Sequence, residues 1–299
     1  MSGFILHAFE HGMHEAAEIA RRLGTRVAPI HVHKFPDDES LVTVSQADAS
    51  ACIYCPLDRP NARLVELILA ADALRRNGAR RLVLVAPYLC YMRQDVAFHE
   101  GEAVGQQAVG RLLGSLFDRI VTVDPHLHRV KEISSVFPGI EAESLSAAPA
   151  IVAFVKAKAL PHDMLVAGPD GESIQWVEQI GAALGCESIV GSKRRLGDRN
   201  VEIEFPLHVL DGRAVLLVDD IVSSGGTMTE AIRGLKRAGA GAVRVAVTHA
   251  LFDSVVEKNM REAGAEEIWS SDGIPHPTNA IPLADLLADA LRREAGVAS

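Results

Sequence analysis

The segment Ala214–Met228 (AVLLVDDIVSSGGTM) restricts the possible fold of this chain more than any other stretch. Five apolar residues at its start have the length and aliphatic content of a buried parallel strand. Asp219 and Asp220 follow at the predicted carboxyl end of that strand, and the small turn Ser223–Thr227 then opens a helical pattern. This order of strand, acidic pair, turn and helix predicts an α/β domain.

The turn and the acidic pair indicate a site for a sugar phosphate. Small residues let backbone N–H groups approach an anion closely, and a helix N-terminus adds the positive end of its dipole. The neighbouring carboxylates are suited to hold the sugar hydroxyls. A Walker A loop is excluded because no Lys follows Gly226. The simpler alternative is an ordinary βα turn, in which the acidic pair would have no structural role.

The rest of the chain alternates helices with aliphatic strands, which is typical of βαβ units and a mainly parallel sheet. Strands are predicted at Phe4–Phe9, Val27–Val32, Ser40–Ser45, Ala51–Tyr54, Arg81–Ala86, Val121–His126, Met164–Ala167, Ser188–Val190 and Val243–Val247. Helices are predicted at Met13–Leu23, Asn61–Arg76 and Pro282–Leu291.

An internal repeat indicates two related α/β domains. LRRNGARRLVLV, from Leu74, and LKRAGAGAVRVAV, from Leu235, share a basic helix end, a glycine stop and a Val-rich strand. A chance similarity between two generic βα units is the alternative. We expect an N-terminal domain over residues 1–147 and a C-terminal domain over residues 148–299, with the last helix a candidate to pack on the N-terminal domain.

Charge and composition limit the partners of this chain. The formal net charge is −9 over 299 residues, which argues against a nucleic-acid or anionic-membrane surface. The N-terminus has no basic region and too short an apolar run for a signal peptide or membrane helix, so a cytoplasmic protein is expected. Cys52 and Cys55 have the spacing of half a zinc or redox motif, but no second half exists.

A second motif follows the strand predicted at Arg81–Ala86. The sequence PYLCYMRQD, at Pro87–Asp95, closely resembles the PYxxYxRQD motif of ribose-phosphate pyrophosphokinases, and the resemblance extends in the same order over nearly the whole chain. FPDDE, at Phe35–Glu39, resembles that family's FPDGE, with Asp38 in place of Gly. After Asp95 the chain lacks the basic loop of the common bacterial and eukaryotic enzymes and is more similar to an archaeal-type pattern, RQDxxFxxGE.

The resemblance implies a fold of two phosphoribosyltransferase-like domains, each a mainly parallel sheet flanked by helices, and a two-substrate site. ATP is assigned by resemblance to Phe35, Asp37, Glu39, Arg93, Gln94 and Asp95. Ribose 5-phosphate is assigned to Asp219, Asp220, Ser223, Ser224, Gly225, Gly226 and Thr227. Mg²⁺, the implied cofactor, is assigned to His126 and Asp170, and catalysis to Lys193 and Arg195 in a segment similar to the family's flexible catalytic loop.

Two of these assignments have a simpler structural alternative. A lone His at a strand end is more often a hydrogen-bonded surface residue than a metal ligand, and the three adjacent cations Lys193–Arg195 would usually form a solvated face. In the family reading, positioned cations stabilise the charge that develops during diphosphoryl transfer.

We therefore hypothesise Mg²⁺-dependent transfer of the diphosphoryl group of ATP to ribose 5-phosphate, giving phosphoribosyl pyrophosphate and AMP, in a homo-oligomer of at least two copies. One rival is a phosphoribosyltransferase that uses the same anion site, although the motifs in residues 35–95 would then have no purpose. The other is a non-catalytic regulatory paralogue, which should have lost the catalytic loop or the metal ligands; this chain retains both.

Overall fold

The computed structural model describes residues 4–45, 47–127, 129–130, 132–195, 201–206 and 210–296, and these form two compact units. Unit 1 holds the described residues up to Ser146 together with those from Leu283 onward, and unit 2 spans Ala147–Pro282. Among the described helices, none is both long and apolar enough to cross a membrane.

Helices and strands alternate along both units. The strands are β1 (Phe4–Phe9), β2 (Arg26–Lys34), β3 (Ser40–Val44), β4 (Ser50–Tyr54), β5 (Arg81–Val85), β6 (Arg119–Val123), β7 (Glu141–Leu145), β8 (Leu165–Gly168), β9 (Glu187–Val190), β10 (Ser192–Arg195), β11 (Val201–Glu204), β12 (Val215–Val222), β13 (Val243–Ala250), β14 (Ala265–Ser271) and β15 (Asn279–Ile281). The helices are α1 (Met13–Leu23), α2 (Pro60–Arg76), α3 (Gly105–Gly114), α4 (Ala148–Ala157), α5 (Ile174–Leu184), α6 (Gly226–Arg237), α7 (Ser254–Glu262) and α8 (Ala284–Leu291).

The two sheets have the same topology. The sheet of unit 1 has the order β3-β2-β1-β4-β5-β6-β7, and that of unit 2 has the order β15-β14-β13-β12-β8-β9. Read in the same direction, β2-β1-β4-β5-β6-β7 corresponds strand by strand to β9-β8-β12-β13-β14-β15. Within the described residues, only β2–β3 and the β10–β11 hairpin pair antiparallel. The predicted α/β class with two related, mainly parallel domains is confirmed.

The repeat that suggested the duplication is also visible in how its helices end. Gly78, after α2, and Gly239, after α6, both adopt a left-handed backbone conformation, with φ of 102° and 89°. In both units the residue after the glycine donates a hydrogen bond back to the helix and satisfies one of its last carbonyl groups. The two bonds are Ala79 N to Leu74 O, 3.1 Å, and Ala240 N to Leu235 O, 3.0 Å.

Several predicted bounds coincide with the structure, and some do not. β1 and α1 begin and end where the hydrophobic pattern and Gly24 place them. The last helix begins at Ala284 rather than Pro282. β13 continues to Ala250 instead of ending at Val247, so His249 lies inside the strand. β12 is also longer than predicted, and its last residue, Val222, pairs with Ala250 at the end of β13.

Buried ion pairs hold the segment after α8 on the sheet of unit 1. The carboxylate of Glu294, only 5 % exposed, accepts hydrogen bonds from Arg81 Nε at 2.7 Å and from Arg119 Nη1 at 3.2 Å. Burial opposes ionisation of Glu294, but the Arg81 and Arg119 guanidinium groups outweigh it and lower its pKa. Removing one partner of such a pair would leave a buried charge uncompensated.

His7, in the centre of β1, is a buried histidine without hydrogen bonds. Its side chain is fully buried, and neither ring nitrogen has a partner within the described residues. Burial lowers the pKa of His7 from 6.5 to about 4, against a smaller opposing effect of Asp48. Because the unfolded chain then takes up the proton first, stability is lost as the pH falls from about 6.5 towards about 4.

We expect His7→Phe to remove this acid sensitivity. In the wild-type protein, His7 should reduce the free energy of unfolding by about 1.4 kcal/mol for each pH unit within that window, or about 3 kcal/mol in total. Denaturant unfolding at several pH values would measure the slope. His14→Gln, at an exposed histidine on α1, is the matched control and should keep the wild-type slope. An unchanged slope in His7→Phe would contradict the assignment.

Candidate active site

The connections of the unit 2 sheet run in opposite directions from two neighbouring strands. From β8 the chain continues to β9 on one side, and from β12 it continues to β13 on the other. Loops that leave neighbouring parallel strands in opposite directions open a crevice at the carboxyl edge, where ligands of such sheets bind. Asp170 follows β8, and the predicted phosphate turn follows β12. The topology therefore brings together two parts of the predicted site.

The turn Ser223–Thr227, called the anion loop from here on, ends in the first turn of α6. Gly225 is the N-cap residue of α6 and has a φ of 72°, a left-handed conformation that favours glycine. No side chain among the described residues caps this helix. The N–H groups of its first turn are therefore available to an anion, and Gly226 and Thr227 are exposed.

The acidic pair lies inside β12 and not after it, which corrects the prediction. β12 continues beyond Asp219 and Asp220 to Val222, since Ile221 and Val222 pair with β13. Burial, followed by the charges of Asp220 and Asp170, raises the pKa of Asp219 well above its usual range, and Lys193 partly offsets this. Three carboxylates and one ammonium group thus lie within electrostatic reach of one another.

Asp170 and Lys193 form an ion pair beside the acidic pair. Asp170 Oδ1 accepts the N–H of Glu172 at 2.9 Å, which fixes the carboxylate at the start of a short helical turn. Its Oδ2 lies 2.6 Å from Lys193 Nζ.

The segment predicted as a flexible catalytic loop begins as a strand. β10 pairs with β11 in an antiparallel hairpin, in which Lys193 lies opposite Ile203. Successive residues of a strand face opposite sides, so the side chains of Lys193 and Arg194 point to different faces of the hairpin. Arg194 instead pairs with Glu204 at 3.1 Å. The backbone of Arg195 ends β10, whereas its side chain and residues 196–200 lie outside the described residues.

In unit 1, the segment 35–39, which holds the predicted ATP-binding residues Phe35, Asp37 and Glu39, forms the tight turn between β2 and β3. The N–H of Phe35 donates to Glu39 O at 2.9 Å, and the N–H of Asp38 donates to Phe35 O at 3.0 Å. Asp38 has a φ of 70°, which explains why the resembling family has Gly at this position. The ring of Phe35 is 42 % exposed and packs edge-on against His33.

The second predicted ATP segment follows β5. Arg93 and Gln94 are exposed, whereas the carboxylate of Asp95 is only 2 % exposed. Asp95 Oδ1 accepts a hydrogen bond from Arg129 Nη1 at 2.8 Å, and Oδ2 has no partner within the described residues.

Sequence reasoning missed Arg129 and Phe98 at this place. The guanidinium carbon of Arg129 lies 5.8 Å from the centre of the Phe98 ring, which is 71 % exposed. Glu102 closes the loop that carries Phe98 by accepting the N–H groups of Phe98 and His99. No motif in the sequence marked Arg129, because its role depends only on its position beside Asp95.

His126 lies three residues beyond the end of β6, which corrects the predicted strand Val121–His126. The strand ends at Val123 because the backbone then turns into the left-handed region, with φ of 38° at Asp124 and 54° at His126. Non-glycine residues in that region cost roughly 1–3 kcal/mol each and concentrate at functional sites. His126 thus lies at the carboxyl edge of the unit 1 sheet, beyond the strand next to β5.

Comparison with known proteins gives the family. Residues 5–116 match the N-terminal domain of ribose phosphate pyrophosphokinase, and residues 143–276 match the phosphoribosyl transferase domain. The chain is 32 % identical to a ribose-phosphate pyrophosphokinase of Methanopyrus kandleri, an alignment that covers 98 % of this chain and all of that protein. The chain belongs to the ribose-phosphate pyrophosphokinase family.

Two further members of the family agree with this assignment. The ribose-phosphate pyrophosphokinase of Thermococcus kodakarensis is 33 % identical over 91 % of this chain and 95 % of its own length. The crystal structure of phosphoribosylpyrophosphate synthetase from Mycobacterium smegmatis superimposes with a TM-score of 0.83 at 25 % identity, covering 97 % of this chain and 98 % of that one. The ribose-phosphate pyrophosphokinase fold therefore extends over both units.

Gly225 allows a test of how tightly the anion loop is packed. A Cβ atom at Gly225 would overlap Cγ1 of Val256 on α7, whereas a Cβ at Gly24, which has a similar φ of 63°, would meet nothing within 4 Å. Gly24→Ala should cost about 1 kcal/mol of unfolding free energy for the backbone conformation alone. Gly225→Ala should cost about 3 kcal/mol, because overpacking is added.

The double variant Gly225→Ala/Val256→Ala serves as the control for this interpretation. Removing Val256 Cγ1 should make the two substitutions non-additive in denaturant unfolding, with the double variant more stable than the sum of the single effects predicts. Equal costs at Gly24 and Gly225 would contradict the close approach.

Proposed function

We propose that this chain transfers the diphosphoryl group of ATP to the 1-hydroxyl of ribose 5-phosphate, producing 5-phosphoribosyl 1-pyrophosphate and AMP. The observation that carries the proposal is the grouping of Asp170, Lys193 and the Asp219–Asp220 pair at the edge of unit 2 where the anion loop begins. An anion site alone would suit many phosphate ligands. A catalytic cation among carboxylates suits phosphoryl transfer to a bound sugar phosphate.

The anion loop and the acidic pair would hold ribose 5-phosphate. The 5-phosphate lies on the N–H groups of the α6 N-terminus, an arrangement that needs no basic side chain. Ser223 stands where the family commonly has Asp, and backbone binding tolerates that change. Asp219 and Asp220 accept hydrogen bonds from the ribose hydroxyls.

Residues of unit 1 would bind ATP. Phe35, Asp37 and Glu39 contact the adenine, and Arg93 supplies a planar donor fork for phosphate oxygens. Gln94 and Asp95 act beside Arg93. The exposed ring of Phe98, held by Arg129, adds an aromatic surface on which a base can stack.

The donor set of this chain fits Mg²⁺. Within the described residues, no three His, Cys, Asp or Glu side chains are placed to hold a metal by themselves. Mg²⁺ suits such a site because it is usually held by one or two carboxylates, waters and substrate phosphates. Burial, followed by the negative charges of Asp220 and Asp170, raises the pKa of Asp219, and a divalent cation would neutralise those charges. His126 is the proposed ligand in unit 1, and Asp170 is the proposed ligand in unit 2; when bound, magnesium would neutralise phosphate charge.

The reaction needs no covalent intermediate on the protein. The 1-hydroxyl oxygen attacks the β-phosphorus in line, a new O–P bond forms, and the bond from that phosphorus to the α,β-bridging oxygen breaks, so that AMP leaves. The proton of the 1-hydroxyl is released to water. Lys193 exchanges Asp170 for the oxygens of the transferring group and stabilises their charge. Arg195 is proposed to act with it.

Assays for AMP and a variant at Lys193 test the proposal together. Wild-type protein with ATP, ribose 5-phosphate and Mg²⁺ should form AMP, and a chelator should abolish the reaction. Lys193→Ala should lower kcat by roughly 10²–10⁵-fold, the usual range for removing a transition-state cation. Arg194→Ala, which removes an exposed neighbouring cation paired with Glu204, should change kcat less than about threefold because surface ion pairs contribute little.

Two results would refute this mechanism. Absence of AMP in the wild-type reaction would exclude the proposed function, and release of diphosphate from phosphoribosyl pyrophosphate would favour a phosphoribosyltransferase. Near-normal turnover of folded Lys193→Ala would exclude the assigned role of Lys193.

We further propose that the protein is a homo-oligomer of at least two copies. Leu41, Val65 and Leu69 are large apolar side chains exposed on β3 and α2, which pack against each other, and Phe35 is exposed on the adjoining turn. β3 is also the edge strand of the unit 1 sheet. Exposed apolar groups along a sheet edge are typical of an interface between copies.

Light scattering after size exclusion tests this interface. Wild-type protein should have at least twice the 32.1 kDa mass of one chain. Val65→Glu should shift the mass towards one copy, because a charge would be buried without a partner. Val255→Glu, at an exposed apolar residue of unit 2, should not. A monomeric wild-type protein would exclude the proposal.

A further inference from the structure

The connection from β13 to α7, together with the first turn of α7, approaches the anion loop at two places. Just before the loop, the N–H of Leu251 donates to O of Val222, the last residue of β12, at 2.8 Å. Further along, Val256 packs so closely on Gly225 that a Cβ atom there would overlap it. The position of residues 251–256 therefore determines where the anion loop and the first turn of α6 lie.

Asp253 fixes the orientation of α7 within this connection. Its carboxylate accepts the N–H groups of Val255 and Val256, both at 3.0 Å, as the N-cap of the helix. Asp253 thus orders the turn that carries Val256, but it leaves the carbonyl group of the preceding Phe252 to be satisfied from elsewhere.

His276 satisfies that carbonyl group. Its Nε2 lies 2.9 Å from Phe252 O, and its ring packs edge-on against the Phe252 ring at a centroid distance of 4.5 Å. Phe252 belongs to the buried core of unit 2. His276 therefore holds the connection through both a hydrogen bond and a ring contact.

The hydrogen-bond partners fix the tautomer of His276. A backbone N–H can only donate, and that of Thr278 points to His276 Nδ1 at 3.2 Å, so Nδ1 is an acceptor. A carbonyl oxygen can only accept, so the proton must be on Nε2, which donates to Phe252 O. Both ring nitrogens therefore have hydrogen-bond partners.

A buried polar network anchors the segment that carries His276. The N–H of His276 donates to Asn279 Oδ1 at 2.9 Å, and Asn279 Nδ2 donates to Ser271 O at 2.5 Å. Ser271 Oγ in turn donates to Thr248 O on β13 at 2.5 Å. Connected hydrogen bonds of this kind, partly buried at His276 and Asn279, restrict the segment to one geometry.

We infer that His276 is a positioning residue for the anion loop, acting through Phe252 and the connection to α7. It touches neither substrate itself. The inference rests on the proposed function, in which the anion loop binds the 5-phosphate of ribose 5-phosphate. Its consequence is specific, because loosening the connection should weaken the binding of ribose 5-phosphate and leave the ATP residues of unit 1 unaffected.

Three substitutions at His276 separate this role from a general effect on stability. His276→Phe keeps the ring contact with Phe252 and removes both nitrogens. His276→Gln can place its amide nitrogen near the position of Nε2 and donate to Phe252 O again. His276→Asn remains polar but is too short to reach that carbonyl.

The measurements are steady-state kinetics for both substrates and calorimetric binding of ribose 5-phosphate without ATP. His276→Phe and His276→Asn should raise KM and Kd for ribose 5-phosphate about tenfold, with kcat and KM for ATP within about twofold of wild type. His276→Gln should restore most of the loss. The thermal unfolding midpoints of the variants identify which of them remain folded, and His276→Asn carries the comparison if His276→Phe does not fold.

The other possible results would contradict either the positioning role of His276 or the proposed function. Unchanged ribose 5-phosphate binding in the folded variants would refute the positioning role and leave the proposed function intact. An equal rise of both KM values, or a His276→Gln variant no better than His276→Asn, would also refute it. Failure of the wild-type protein to bind ribose 5-phosphate would overturn the proposed function, and this inference with it.

Discussion

The burial of neighbouring carboxylates is the main electrostatic constraint on unit 2. Asp219 and Asp220 lie within β12, in electrostatic reach of Asp170 after β8, and burial followed by the charges of Asp220 and Asp170 raises the pKa of Asp219. Lys193 offsets only part of this increase. Apolar residues of β12 on both sides of the acidic pair, between Val215 and Val222, are buried in the core. Their packing keeps the carboxylates in place despite the unfavourable charge. A bound cation or a hydroxyl group that donates a hydrogen bond would stabilise carboxylates placed in this way.

The two units differ at the position that the anion loop occupies in unit 2. The place in unit 1 that corresponds to the anion loop follows β4, where Cys55 and Leu57 are buried. Their N–H groups are already bonded to Val85 O and Tyr88 O, and α2 begins with Pro60, which has no N–H to offer. Unit 1 instead carries its predicted ligand residues on the β2–β3 turn and on the loops after β5 and β6.

Local patterns predicted much of this structure, and long-range pairing explains the remainder. The bounds of β1 and α1 follow from hydrophobic period and a glycine stop. The small residues of the anion loop correctly predicted a turn that opens a helix, whereas its phosphate ligand stays a prediction. The extension of β12 through two aspartates could not be predicted locally, since Asp disfavours strands and only pairing with β13 keeps it there. The strand at Lys193 likewise depends on β11, and Arg129 gains its role only through Asp95, 34 positions away.

The ion pairs of Glu294 can form only near the end of protein synthesis. Arg81 and Arg119 leave the ribosome before any residue of unit 2, whereas Glu294 follows the whole of it, 213 positions after Arg81. Until then, the guanidinium group of Arg119 lacks one of the carboxylates that neutralise it in the finished sheet. A contact between such distant positions carries a large loop-closure entropy. Vectorial synthesis therefore delivers the whole of unit 2 before these ion pairs of unit 1 can form.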